Sequence, residues 1–129
     1  MSPTRSANRE SPAMGAAIVL LTLATGWIHL TLGGTLFTLN GLGYVAAAIA
    51  FVAPLAIAHR FRWLVRLGLM GYALATIVGW ALMGPRYDLA YVSKAIEVVL
   101  IMLLVVEIRA YDGNPIDRAR RAIGTLARA

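Results

Sequence analysis

The chain has 129 residues, a formal charge of +6, a hydrophobic share of 60% and no cysteine. Its mean hydropathy of +0.73 excludes an ordinary soluble domain of this length, because too few polar residues remain to cover its apolar segments. The absence of thiols excludes disulfide relays, thiolate metal sites and thiol redox chemistry.

Residues 1–12 are polar and are expected to be a disordered tail. Four apolar runs follow, each about 20 residues long, which suits a hydrocarbon core roughly 30 Å thick. Span one is expected over residues 13–32, ending at Gly33–Gly34. It is too long for a cleaved signal segment and lacks a small-x-small cleavage site, so it is read as retained. Span two begins near 37–40 and runs to 58, with Pro54 kinking its last turns. His59 to Trp63 forms a turn, span three covers 64–83, Pro85 to Asp88 forms the next turn, and span four covers 89–108. Short connections imply antiparallel neighbours. The expected fold is all-α: an integral-membrane up-down-up-down four-helix bundle over residues 13–110. Residues 111–129 follow as a basic, interfacial amphipathic helix. Asn114 is placed to cap that helix, with Pro115 at its first position and Asp117 in its first turn.

Ten of the twelve basic residues lie at the N-terminus, in the second connection or after the last span; Arg86 and Lys94 are the exceptions. This distribution argues against a nucleic-acid partner. By the positive-inside rule it places both termini in the cytoplasm of a prokaryote, with the chain in the inner membrane. Arg60, Arg62, Arg118, Arg121 and Arg128 are expected to meet anionic headgroups. Small residues recur four apart as Gly43 and Ala47 in span two and as Gly71, Ala75 and Gly79 in span three. Such ridges let helices approach closely, either inside the bundle or against a second copy.

His29, Lys94 and Glu97 fall inside the spans at similar depth. A charge at the bilayer centre costs on the order of 2.5–3.5 kcal/mol on insertion scales, so Glu97 is expected to face protein. Lys94 and Glu97 are three apart and share a face. Thr22 and Thr25 share the face of His29, span two offers Asn40 and Tyr44, and span three offers Tyr72 and Thr76. These faces converge if the outer half of the bundle encloses a polar pocket of His29, Asn40, Tyr44, Lys94 and Glu97. Tyr87, Asp88 and Tyr91 then lie near its mouth.

The segments WIHLTLGGTLFTLNGLGY (residues 27–44) and YVSKAIEVVLIMLLVVE (residues 91–107) resemble a group of small four-span membrane proteins of bacteria and haloarchaea. The shared pieces are His29–Leu30, the FxLNGxGY segment over 37–44, and Lys94-x-x-Glu97. The resemblance spans all four runs and implies a shared fold and polar pocket; it carries no activity. Small multidrug exporters also use an embedded glutamate, but theirs is in the first span, whereas Glu97 is in the fourth.

Several readings of the pocket stay open. It is a hydrogen-bonded ion cluster that fixes helix register, a ligand or proton site, or a haem or chlorophyll-type pigment site with His29 as single axial ligand. His59, at the opposite membrane face, cannot supply a second imidazole. His29 and Glu97 are two ligands beside a lysine, too few for a metal centre. No nucleophile–base pair is present. The expected function is therefore a non-catalytic accessory or scaffolding subunit of a membrane complex or a homo-oligomer. The alternatives are a small transporter or lipophilic-ligand binder using Glu97, Lys94 and His29, and a pigment-carrying subunit.

Overall fold

The computed structural model describes residues 11–128, and all of their regular structure is helical. The proposed tail lies outside the described residues except for Ser11 and Pro12, which open the first helix. Helix α1 spans Pro12–Thr31, with the Ser11 side chain accepting the Met14 amide and proline at the first position. That start fits the chemistry of a helix N-terminus, where the Pro nitrogen has no bond to lose. Gly33 and Gly34, at φ +75° and +91°, reverse the chain in a region that side chains disfavour.

Helix α2 spans Thr35–Val52, and the short α3 spans Ala56–Arg60. Span two thus stops at Val52 instead of kinking and continuing to 58. Pro54 is the cause: its ring drives Ala53 out of the helical region, to φ −55° and ψ 125°. Helix α4 covers Arg62–Met83 and α5 covers Asp88–Glu107. A π-helical turn, Ile108–Asp112, extends α5 and ends at Gly113, whose amide bonds the Ile108 carbonyl. Helix α6, Pro115–Ala127, is capped by the Asn114 side chain on the Ile116 amide at 2.9 Å.

Four segments are long and apolar enough to cross a membrane: α1, α2, α4, and α5 with its π turn. Even the shortest, at 18 residues, rises about 27 Å. Their outward side chains are apolar, with Leu36 and Leu82 about three-quarters exposed, a surface suited to acyl chains rather than water. Helix α1 packs on α2 and α5, and α4 packs on α5 and α2. The apolar core is small: Ile18, Tyr44, Phe51, Leu69, Leu100 and Leu104.

The closest helix approach is not the one expected from the small-residue ridges. A Cβ on Gly41 would lie 2.7 Å from the Leu30 side chain and 2.8 Å from the Gly26 carbonyl oxygen. Gly26 and Gly41 therefore make the α1–α2 seam. Gly43 makes room for the Tyr72 ring, and Ala47 packs against the core. The α4 ridge does not pack inside the chain. A Cβ on Gly71 or Gly79 would meet nothing within 4 Å, and Ala75 and Gly79 line a cavity instead.

Gly41→Ala should destabilise the protein by about 1–3 kcal/mol through overpacking. Gly71→Ala should be neutral or stabilising by up to about 1 kcal/mol through helix propensity. Denaturant unfolding in micelles checks both; equal effects would remove the assignment of the seam to Gly26 and Gly41.

Candidate functional site

Glu97 is fully buried on α5 and gathers donors from three helices. Its Oε1 accepts the Tyr44 hydroxyl of α2 at 3.0 Å and the Thr25 hydroxyl of α1 at 3.1 Å. Its Oε2 accepts Lys94 Nζ, one turn back on α5, at 2.7 Å. The amine neutralises the carboxylate and the hydroxyls occupy its remaining lone pairs, as burial of a charge demands.

The surrounding protons can be assigned from what each partner is able to accept. Thr25 has one hydroxyl proton and gives it to Glu97, so at the 3.1 Å contact with Ser93 the serine donates. Tyr44 likewise gives its proton to Glu97. The Thr76 hydroxyl then serves the Tyr44 oxygen at 3.0 Å or the Ala73 carbonyl at 2.9 Å. His29 Nδ1 lies 2.8 Å from the Thr25 carbonyl, which only accepts, so Nδ1 carries a proton. Its Nε2 stands 3.9 Å from Glu97 Oε1, beyond hydrogen-bond reach.

The structure thus brings together His29, Tyr44, Lys94 and Glu97 of the residues singled out in the sequence. Asn40 stands in the wall of the adjoining cavity and is tied to α4 through its backbone, whose carbonyl accepts the Tyr72 hydroxyl at 2.8 Å. The Tyr72 ring meets Tyr44 edge-on at 4.8 Å. Ser93 is a member of the cluster that its sequence neighbourhood did not single out.

Next to this cluster lies a cavity of about 460 Å³ between α2 and α4. Leu36, Phe37, Trp80 and Met83 line its walls, and His29, Ser93, Lys94 and Thr76 bring polar atoms to one end. Trp80 is fixed by its Nε1 donating to the Pro85 carbonyl at 2.7 Å, and Arg86 lies 4.2 Å over its ring. Tyr91 stacks edge-on against Trp80 at 5.3 Å, while Tyr87 and Asp88 are exposed and do not line the cavity.

A second buried ionic cluster closes the other end of the helices. Arg66 of α4, 1% exposed, donates Nε to Glu107 at 2.8 Å and Nη1 to Asp112 at 2.6 Å. The π turn explains the second contact: i→i+5 bonding brings residue 112 back over the face of 107. The Tyr111 hydroxyl accepts the Ser11 amide at 2.9 Å, fastening the start of α1 to the same place. Sequence reasoning treated Arg66 as one of many surface arginines and passed over Glu107 and Asp112. The available signal was Arg66 itself, which falls inside span three as read over 64–83 and so needs an acid at its own depth. Arg62, expected at the headgroups, is half-buried with its guanidinium 5.5 Å from the Phe51 ring centroid. Arg60, Arg121 and Arg128 are exposed, and Arg118 is half-buried against the end of the π turn.

Comparison of the chain with protein-family models, curated proteins and solved structures finds no match.

Replacing Glu97 by Gln leaves the Lys94 ammonium buried without a counter-charge and should cost about 3–5 kcal/mol. Adding Lys94→Met should recover more than half of that loss. Unfolding of both variants in micelles is the check; a Glu97→Gln effect within about 0.5 kcal/mol, as for a surface site, would show that the carboxylate is not buried.

Proposed function

We propose that this protein is a non-catalytic binder of a lipophilic molecule with a carbonyl or hydroxyl head, embedded in the cytoplasmic membrane of a prokaryote. The observation that carries this reading is the apolar cavity of about 460 Å³ ending on His29, Ser93 and Lys94. Its volume is in the range of small-molecule pockets, and a few convergent polar groups among apolar walls are the usual means of orienting a ligand. The Lys94–Glu97 pair is neutral as a unit, which favours an uncharged head. Lys94 spends one N–H on Glu97 and has others to offer a carbonyl, and His29 Nε2 can accept a hydroxyl proton.

In this reading the four spans run up-down-up-down as a bundle, supported by the three-residue and four-residue connections at 32–34 and 84–87. The arginine-rich ends face the cytoplasm by the positive-inside rule, so the cavity opens in the outer half. A pigment on His29 is less well supported. His29 is 3% exposed and its ring is bracketed by the Thr25 carbonyl and Glu97, so a macrocycle on Nε2 requires the carboxylate to leave three donors.

A second reading, an accessory subunit or homo-oligomer, is supported by the open face of α4. Side chains added at Gly68 or Gly71 would meet nothing within 4 Å, leaving room for another helix. Native mass spectrometry of wild type and Gly71→Leu tests it: a dimer lost in the variant supports the seam, and a monomer in both removes it.

For the leading reading, protein extracted in mild detergent should retain a lipophile identifiable in an organic extract. Gly79→Phe, which points a ring into the cavity, should lower its retention by about tenfold, equivalent to 1.4 kcal/mol, with little change in melting temperature. Equal recovery from both proteins, or none from either, would refute binding in this cavity.

A further inference from the structure

A smaller cavity, of about 280 Å³, lies at the arginine-rich end, between the α3–α4 corner and α6. Three arginines line it, Arg60, Arg118 and Arg121, together with Phe61, Trp63 and Leu126. Backbone carbonyls hold two of the guanidinium groups. Arg118 donates to the carbonyls of Asp112 at 3.1 Å and Tyr111 at 3.5 Å, and Arg121 donates to that of Asp117 at 3.3 Å. Arg60 lies over the Phe61 ring at 5.7 Å. Among the described residues none of the three forms an ion pair. Like charges gathered in one groove repel unless an anion joins them, and among the described residues no carboxylate lines this one.

The rest of the lining is largely apolar, with Phe61, Trp63, Ala122 and Leu126, the last 76% exposed. Helix α4, one of the membrane-length helices, begins at Arg62, so the groove sits where a span meets headgroups. The geometry points to a binding site for an anionic phospholipid, its phosphate held by Arg60, Arg118 and Arg121 and its acyl chains running past Trp63 and Leu126. Free phosphate satisfies only the arginines. A phospholipid satisfies the arginines and covers the apolar wall, which is the composition of basic headgroup pockets beside membrane helices. Aromatic rings such as Trp63 are at home at that depth. The site is independent of the occupant of the larger cavity and of which side of the membrane this end faces.

The test uses the full chain in neutral detergent, offered equal amounts of phosphatidylglycerol and phosphatidylcholine, with bound lipid counted by native mass spectrometry. Wild type should retain phosphatidylglycerol preferentially. Arg60→Gln with Arg121→Gln, both at exposed positions, should lower that affinity about 25-fold, at about fivefold per arginine, with helicity unchanged by circular dichroism. Arg109→Gln with Arg120→Gln, at the same end but outside the groove, should change it less than twofold. Equal retention of the two lipids would overturn the site, as would an equal loss in the Arg109/Arg120 pair, which indicates diffuse charge. Displacement of the bound lipid by millimolar inorganic phosphate would overturn it as well.

Discussion

A carboxylate cut off from water must be neutralised and hydrogen-bonded where it stands, and Glu97 imposes that requirement on three helices at once. Lys94 supplies the charge, Thr25 brings α1 to the site, and Tyr44 brings α2. Each donor sits on a face that the helix period would otherwise leave to apolar packing. A shift of one residue in any of these helices would carry its donor about 100° around the axis and strand the carboxylate. Register at the Glu97 end of the helices is therefore specified by polar chemistry, in a protein whose apolar core is only a few side chains deep. Between helices long and apolar enough to cross a membrane, hydrophobic burial offers little drive in lipid, so packing and hydrogen bonds carry more of the specification.

The Arg66–Glu107–Asp112 cluster does the same at the other end, joining α4 to α5 and its π turn. Between the two clusters Ile18, Leu69, Leu100 and Leu104 form a dry belt. The fold is thus fastened by ions at both ends and filled with aliphatic side chains in the middle. The cavity of about 460 Å³ lies among the ends of α1, α2, α4 and α5, where α4 presents the small residues Ala75 and Gly79. The ridge of small residues serves this opening and does not serve a seam inside the chain.

Much of this was legible in the sequence because it follows from length and periodicity. Four apolar runs gave four membrane-length helices, and Lys94, Glu97, His29 and Tyr44 met because a buried charge has few places to go. What was not legible depended on details that periodicity does not carry. Pro54 was placed inside a helix, but its effect on Ala53 was strong enough to end that helix. The glycines at 26 and 41 were passed over for a regular small-xxx-small pattern, although close approach is decided by which face a neighbour meets. Glu107 and Asp112 lie near the end of a span, where water is expected, and only the π turn turns both toward Arg66. Arg62 and Arg66 read as charges in the sequence, but both guanidinium groups also lie over the Phe51 ring, at 5.5 and 5.9 Å.

The central claim is that Glu97 is a hub bonded across helices, and a double-mutant cycle between Tyr44→Phe and Glu97→Gln tests it most directly. Unfolding free energies of the wild type, the two single variants and the double variant give the coupling between α2 and α5. The structure predicts a coupling of about 1–3 kcal/mol, as for directly bonded buried groups; additivity within about 0.5 kcal/mol, as for separated sites, would contradict it.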